Sequence, residues 1–443
     1  MIFSNYKKLA DSLQRKKILD LADVGIHAVL PKQFMHKSVT VDRDILCVRN
    51  KTFNIKDRRI FVIGAGKASV TMALELERIL GIDRITAGII VSNDTATKLS
   101  KVAVHYADHP IPSKRGIAGA KKVFDLKTKF NLNEHDLIVA LVSGGASALM
   151  PYPVNGVSLE DKRKLFETFL RSGASGIEFS LVRKKISQIK GGGLAKYFHP
   201  IPVISLILSD TVGDDFTPTA GGPFTKDNTT IADAWRIIEH YGIKDSIPLT
   251  IRSYFKKRIF EEKITDFSHV HQVAASENNH ALEAIKKRAR RYGMKVHVEK
   301  NIGGEAKETA VRICEKIGKY SVKTPTLYLY GGETTVTLPE KHGVGGRNQE
   351  FVLACLDYLE KRPRKGNWCV ASIGTDGVDF IDESAGGIAD ESSLRLAKEK
   401  NLNLESYLKE HDSHTVLKKI NSNIYVKGAT GTNVNDIIMF LLA

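Results

Sequence analysis

The chain has 443 residues, 42% hydrophobic and 26% charged, with a net charge of +16 from 66 basic and 50 acidic side chains. This is an ordinary globular composition with room for two or three domains, and no apolar run reaches the roughly 18 residues that a membrane-spanning helix needs. The positive excess lies on amphipathic stretches without interleaved aromatics, which argues against nucleic-acid binding and leaves attraction of small anionic ligands as its use.

The first residues, MIFSNYKKLADSLQRKK, are polar and lack the apolar stretch of a signal peptide, so a cytoplasmic location is expected. Cys47, Cys314, Cys355 and Cys369 are scattered without CxxC or metal spacing and read as reduced thiols. Residues 5–30 read as one amphipathic helix. RRIFVIGAG is an apolar strand closed by a glycine turn, KASVTMALELERIL the helix after it, and ITAGIIVSN a second strand. SKRGIAGAKKVFDL is a helix capped by Ser113; HDLIVALVSGGASALM is strand, glycine turn and helix start; SLEDKRKLFETFLRSG is a helix whose Ser158 and Asp161 form a capping box. PVISLILSDTVGDD is a strand running into an acidic loop. Beyond residue 245, HVHQVAAS, KVHVEK, TPTLYLYGG and NWCVASIG read as strands, FVLACLDYL as a helix, and the last segment as helix or strand. Strand, Gly/Ser turn and helix recur throughout, which predicts an α/β fold with mainly parallel strands and ligand crevices at their carboxyl ends.

Five segments carry candidate chemistry. GAGKAS brings Lys67 into a glycine turn at a helix start, where a cation opposes the helix dipole and needs another reason to be present. The segment misses the Walker pattern at Phe61 and Ala68, and the Rossmann GxGxxG at Ser69; Asp94 after the next strand keeps a dinucleotide reading open. SGGASAL offers backbone amides and the hydroxyls of Ser143 and Ser147 to an anion. SDTVGDD places Asp210, Asp214 and Asp215 at a strand end, suited to magnesium or to a hydroxyl proton. GVGGRNQE presents Arg347, a planar fork for carboxylate or phosphate. GTDGVD adds Asp376 and Asp379. Weaker candidates are Arg183, Lys190 and the glycines of RKKISQIKGGGLAK, Asn433 and Asp436 of KGATGTNVND, and His109. Cations, carboxylates and glycine-lined anion sites are the parts phosphoryl transfer requires.

In order along the chain, GAGKAS, HPIPSKRG, SGGASALM, KGGGLA, LSDTVGDD, GGETTVT, GGRNQE, GTDGVD and ATGTNVND resemble the glycerate 2-kinases with a C-terminal MOFRL domain, from about residue 20 to the end. The resemblance implies ATP-dependent phosphorylation of D-glycerate to 2-phosphoglycerate with a divalent cation, a reaction that serves Entner–Doudoroff sugar breakdown in archaea. It implies a Rossmann-like N-terminal α/β domain and a smaller α/β C-terminal domain, divided here at residues 245 and 246, with the final segment free to pack on either. It implies that Lys67 and Arg347 are the essential cations and Asp210 and Asp376 the strand-end acids.

The expectations are therefore these. Lys67, Arg347 and Asp210 are catalytic; Lys67, Arg347, Ser69 and Asn348 contact glycerate; Asp210 and Asp214 hold Mg²⁺. ATP is held by Ser143, Gly144, Gly145, Ser147, Lys190, Gly191, Gly192, Asp376 and Asn433. The partners are small molecules, with no nucleic acid, no membrane and a homodimer as the assembly to consider. Reduction of hydroxypyruvate by a nicotinamide cofactor is the alternative, because some members of the family have carried that name.

Overall fold

Three short antiparallel strands, β1 (Val39–Asp42), β2 (Ile45–Val48) and β3 (Lys51–Asn54), precede the first glycine-terminated apolar run. The structure, a computed structural model, describes residues 1–209, 219–258, 266–318, 322–364, 366–381 and 384–443. Next come β4 (Ile60–Ala65), β5 (Ile85–Ser92), β6 (Val102–Tyr106), β7 (Leu137–Val142), β8 (Val203–Leu208) and β9 (Val270–Ser276). They form one sheet in the order β6-β5-β4-β7-β8-β9. β4, β7 and β8 are buried at every residue, which explains why they read as unbroken apolar runs rather than alternations. The pairs β4–β5, β5–β6, β4–β7 and β7–β8 are parallel. From β4 the chain steps outward to β6, then returns to lay β7 on the other flank of β4. Strand order thus reverses between β4 and β7, and in open α/β sheets such a reversal leaves a crevice at the strands' carboxyl ends.

Phe61, Ile63, Val91, Val123, Leu149 and Phe198 lie in the core of this sheet. A second cluster, including Leu165, Phe169, Val182, Ile238 and Phe255, joins the helices Leu159–Ser172, Gly176–Lys185, Ile231–His240 and Leu249–Arg258. The expected capping box is present: the Ser158 hydroxyl accepts from Asp161 N at 3.0 Å and Ser158 N donates to the Asp161 carboxylate at 3.0 Å. Ser113 stands at its expected cap position, but its hydroxyl makes no capping bond.

A second sheet contains β10 (Lys295–Ile302), β11 (Thr326–Gly332), β12 (Trp368–Gly374), β13 (Ser384–Asp390), β14 (Asn423–Tyr425) and β15 (Asp436–Leu442), in the order β10-β11-β15-β12-β13-β14. Only β10–β11 is parallel among its pairings, so the expectation of mainly parallel strands fits the first sheet and not this one. The final apolar run, which the sequence left as helix or strand, is the central antiparallel strand. Its first residue, Asp436, stands opposite Gly332 of β11 and Gly374 of β12.

The chain divides into two compact units. One holds Met1–Phe34 with Ser276–Ala443; the other runs from Met35 through Ser209 and the described residues up to Ala275. This differs from a division at residue 245 at both ends. Residues 246–275 carry β9 and the helix Leu249–Arg258, which complete the first sheet and the second helical cluster. The N-terminal helix belongs with the C-terminal unit, where Gly25 lies so close to Ile285 that an added Cβ would meet its Cδ1 at 2.6 Å. That helix is Leu13–Ala28, shorter than expected; Ser12 caps it by accepting from Arg15 N and separates it from the short helix Tyr6–Leu9.

Candidate functional site

Lys67 leaves β4 at the crevice between β4 and β7. Gly66 before it has φ +136°, and a side chain there would meet the Ser143 hydroxyl at 2.1 Å, so the loops after β4 and β7 touch only because this residue is glycine. Hydrogen bonds knit them together: Lys67 N donates to Gly144 O at 2.9 Å, Ala68 N to Ser143 Oγ at 3.0 Å, and Ser69 Oγ to Leu141 O at 3.1 Å. Ser69 and Ser143 are fully buried and their hydroxyls are spent on this seam. The structure thus gives them a positioning role, where the sequence reading had them on substrate and cofactor. Lys67 is half-buried. A Cβ on Gly145 would lie 3.2 Å from Lys67 Cγ and 3.2 Å from the His109 ring, so His109 stands beside the lysine.

Lys190 reaches the same loop. Its ammonium donates to the Ser147 hydroxyl and, at 3.3 Å, to Ala220 O. It is 8% exposed, and burial first, then the charges of Arg183, Lys162 and Lys184, hold its pKa well below the ordinary lysine value. Gly191 and Gly192 donate their amides to Gly221 O at 2.9 Å and Gly222 O at 2.8 Å. Those glycines fix the loop that carries Lys190, and their amides are not turned to a ligand as expected for cofactor contacts.

In the other unit, Arg347 opens the helix Arg347–Lys361. Its guanidinium forks onto Asp436, Nε to Oδ2 at 2.6 Å and Nη2 to Oδ1 at 2.8 Å, with Glu333 3.1 Å from Nη2. Asp436 is 1% exposed because β15 runs between β11 and β12. Burial pushes its carboxyl up to about 6, against the pull of Arg347. Burial disfavours charge on Arg347, but Asp436 and Glu333 outweigh it and hold the guanidinium above its ordinary value. The pair is ionised, and 26% of the arginine side chain stays exposed.

Asp379, fully buried, anchors the start of the same helix. It accepts from Asn348 N at 3.0 Å, Asn348 Nδ2 at 3.2 Å, Gln349 N at 2.9 Å and Gln349 Nε2 at 3.0 Å. A carboxylate under a helix N-terminus is well placed against the helix dipole. A Cβ on Gly346 would lie 2.4 Å from Asp379 Cγ, so the close seat requires glycine. Asn348 is fully buried, and its Oδ1 accepts from Ser372 Oγ at 2.5 Å. Its side chain is engaged with Asp379 and Ser372, whereas the sequence reading had it on substrate.

Asp376 accepts from Val378 N at 3.0 Å and shapes its own turn, and Asn433 accepts from Asn435 N at 3.4 Å. Both lie in the unit of Arg347, whereas the other expected cofactor residues lie in the unit of Lys67. Asp210 and Asp214 fall outside the described residues. Among the described residues no group of three or more His, Cys, Asp or Glu is arranged to hold a metal ion. Asp94, the acid that kept a dinucleotide reading open, accepts from Ala96 N at 2.8 Å and Thr97 N at 3.0 Å and so caps its own loop. The sequence reading singled out the two cations and named Asp379 and Asp436 as candidates, but did not join Asp436 to Arg347 or Asp379 to the start of its helix, and it did not name Glu333. The available signal was an acid at the start of an apolar run, in NVNDIIMFLL, and an acid after a strand, in GGETTVT.

Residues 17–256 match the family described as a domain of unknown function (DUF4147), and residues 326–436 match the MOFRL family. A glycerate 2-kinase of Pyrococcus horikoshii is 35% identical over 434 residues, 96% of each chain. A crystal structure of glycerate kinase from Thermotoga maritima superposes with a TM-score of 0.81 at 31% identity, covering 97% of this chain and 99% of that one. A putative hydroxypyruvate reductase of Agrobacterium vitis is 34% identical over 95% of each chain.

Proposed function

The chain belongs to the glycerate 2-kinase family with its DUF4147 and MOFRL domains, and from that premise we propose the reaction it performs: transfer of the γ-phosphoryl group of ATP to the 2-hydroxyl of D-glycerate, giving 2-phosphoglycerate and ADP. It is an enzyme, a phosphotransferase with an alcohol acceptor. ATP enters as its Mg²⁺ complex; that ion keeps several waters and phosphate oxygens and takes one or two carboxylates from a protein.

The observation that carries the proposal is Lys67, held at a strand-order reversal by a loop seam that fixes its backbone through Gly144 and its stem against Gly145. A cation fixed there can neutralise charge that develops on a transferring phosphoryl group without reorganising at the moment of reaction. In this reading the Ser147 hydroxyl and Lys190 contact the phosphates of ATP. Arg347, clamped by Asp436 and Glu333, offers its exposed edge to the glycerate carboxylate. Asp210 accepts the proton of the 2-hydroxyl as oxygen attacks phosphorus and the bond to ADP breaks.

Reduction of hydroxypyruvate has less support. The glycine turn lacks the third glycine, with buried Ser69 in its place, and Asp94 is engaged with its own loop rather than a ribose. The test is ADP release measured with D-glycerate and Mg²⁺-ATP, alongside NADH and NADPH oxidation with hydroxypyruvate. Glycerate-dependent ADP release without nicotinamide oxidation is expected; nicotinamide oxidation alone would reverse the assignment.

A further inference from the structure

Asp379 seats the start of the Arg347 helix from one side. The other side is closed by residues 410–414, where the helix Leu404–Lys409 gives way to the helix Ser413–Lys419. Three main-chain groups of the glycine loop ahead of Arg347 are spent on that turn. Gly343 N donates to Glu410 O at 2.7 Å, Val344 N to Asp412 Oδ1 at 3.1 Å, and Val344 O accepts from His414 N at 2.8 Å. A side chain on Gly343 would collide with Asp412, and one on Gly345 with the Ser413 hydroxyl, so the close contact of loop and turn requires glycine at both positions.

Two histidines of the turn reach past the loop to the first helical residues after Arg347. His411 Nδ1 lies 2.9 Å from Glu350 Oε2, and His414 Nδ1 lies 2.9 Å from Gln349 Oε1. Gln349 spends its amide nitrogen on Asp379, donating to Oδ2 at 3.0 Å and to the carbonyl at 3.2 Å, so its oxygen faces His414 and the imidazole proton sits on Nδ1. Asn423 flanks the same ring, with Nδ2 3.2 Å from Nδ1 and donating to His414 O at 3.1 Å. Hydrogen bonds therefore run without a break from His414 through Gln349 to Asp379, whose carboxylate receives the amides of Asn348 and Gln349 beside Arg347. Gln349 is fully buried and Glu350 4% exposed, so a lost histidine leaves a polar atom of each without its donor and away from bulk water. His411 has φ +53°, a region that His and Asn enter more readily than most residues. A reacting partner misplaced by about 1 Å costs on the order of 10²-fold in rate, which is reason to fix the backbone of Arg347 as well as its guanidinium.

We infer that His414 and His411 are positioning residues for Arg347: through Gln349 and Glu350 they hold the first turn of its helix so that the exposed edge of the guanidinium meets the carboxylate of the acceptor. The inference rests on the kinase reading for the identity of that ligand, and it gives the histidines no direct contact with substrate.

The experiment compares wild type with His414→Ala, His414→Asn, His411→Gly and His411→Asn. The asparagine variants keep a donor where Nδ1 stood, and glycine keeps the positive φ at 411 without strain. Steady-state kinetics with D-glycerate and Mg²⁺-ATP is joined to hydrogen–deuterium exchange over residues 343–352 and to melting temperatures. His414→Ala should raise KM for D-glycerate roughly tenfold while KM for ATP changes less than about twofold, and exchange of the amides of residues 344–350 should quicken roughly tenfold. His411→Gly should show the same pattern at a smaller size, and both asparagine variants should return KM and exchange toward wild type. A structural role alone would lower the melting temperature and leave KM for D-glycerate where it was. That result, or asparagine variants no better than the alanine and glycine ones, overturns the inference, while glycerate-dependent ADP release by the wild type keeps the kinase reading. A wild type that makes no ADP with D-glycerate, with exchange quickened by alanine and glycine and restored by asparagine, removes the kinase reading and leaves the histidines as the holders of the Arg347 loop.

Discussion

The two units each present a cation beside glycines, yet they treat its charge in opposite ways. In the first unit Lys190 donates to neutral oxygens of Ser147 and Ala220, and burial first, then neighbouring cations, hold down its charge and that of Lys162. Around Arg347 the second unit collects carboxylates, Asp436 and Glu333 on the guanidinium and Asp379 under the helix start. An unmatched charge is an invitation to a ligand; a matched one is a device for holding geometry. The sequence motifs alone, KGGGLA and GGRNQE, do not distinguish these cases, because the groups that match or leave a charge come from distant segments.

The sharpest way to break this comparison is to remove the two cations. Lys67→Ala should lower kcat by roughly 10²–10³-fold, as loss of a preorganised transition-state charge does, while the melting temperature stays close to wild type, since the loop seam is made by backbone and serine groups. Steady-state kinetics and thermal melting check both halves. Arg347→Ala should abolish most activity and also destabilise the fold, by about 3–5 kcal/mol, because it leaves Asp436 buried without its partner. Denaturant unfolding reads that difference; equal stabilities for the two variants would erase the distinction between a ligand-directed and an internally matched cation.

The pH dependence sharpens it further. Asp436 has a folded pKa of about 6, raised from 3.8. Between those values the native state binds more protons than the unfolded one, so this group's contribution to stability falls as pH rises from about 4 to about 6 and is not a cause of acid unfolding. Protonation there nevertheless dissolves the fork that holds Arg347. Activity is therefore expected to fall on an acid limb near pH 6 without a matching fall in melting temperature on Asp436's account. In Asp436→Asn protein that limb should vanish and kcat/KM should drop across the range. A pH–rate profile of both proteins decides it; an acid limb retained in the variant would release Asp436 from this role.

The smallest effect belongs to the seam. Ser143→Ala removes the acceptor for Ala68 N and should cost about 1–3 kcal/mol, the penalty for an unsatisfied buried donor, with a several-fold loss of kcat because Lys67 is less firmly placed. Chemical denaturation and kinetics test the pair of effects.

Much of this was legible in the sequence. The apolar runs of β4, β7 and β8 announced buried parallel strands, and glycines beside Lys67 and Arg347 announced close backbone approaches at helix starts. What the sequence hid was long-range. β1, β2 and β3 have four residues each and a mixed burial pattern, too short for a period-two signal to stand out. The boundary at residue 245 failed to show that Leu13–Ala28 packs with the C-terminal unit, because nothing in composition marks that return. Asp436 lies 89 residues from its arginine and meets it only because β15 inserts antiparallel between β11 and β12. Ser69, Ser143 and Asn348 were marked as contacts by position, but a polar side chain in a glycine loop can be consumed by the loop itself, as their hydrogen bonds are.

The central claim is phosphoryl transfer to the 2-hydroxyl of D-glycerate, and ³¹P NMR of the product made from D-glycerate and Mg²⁺-ATP tests it most directly. A 2-phosphoglycerate resonance that accumulates with ADP, and is lost in the Lys67→Ala protein, is the predicted result. A 3-phosphoglycerate resonance would contradict the regiochemistry, and ATP left intact with no phosphorylated product would contradict the reaction.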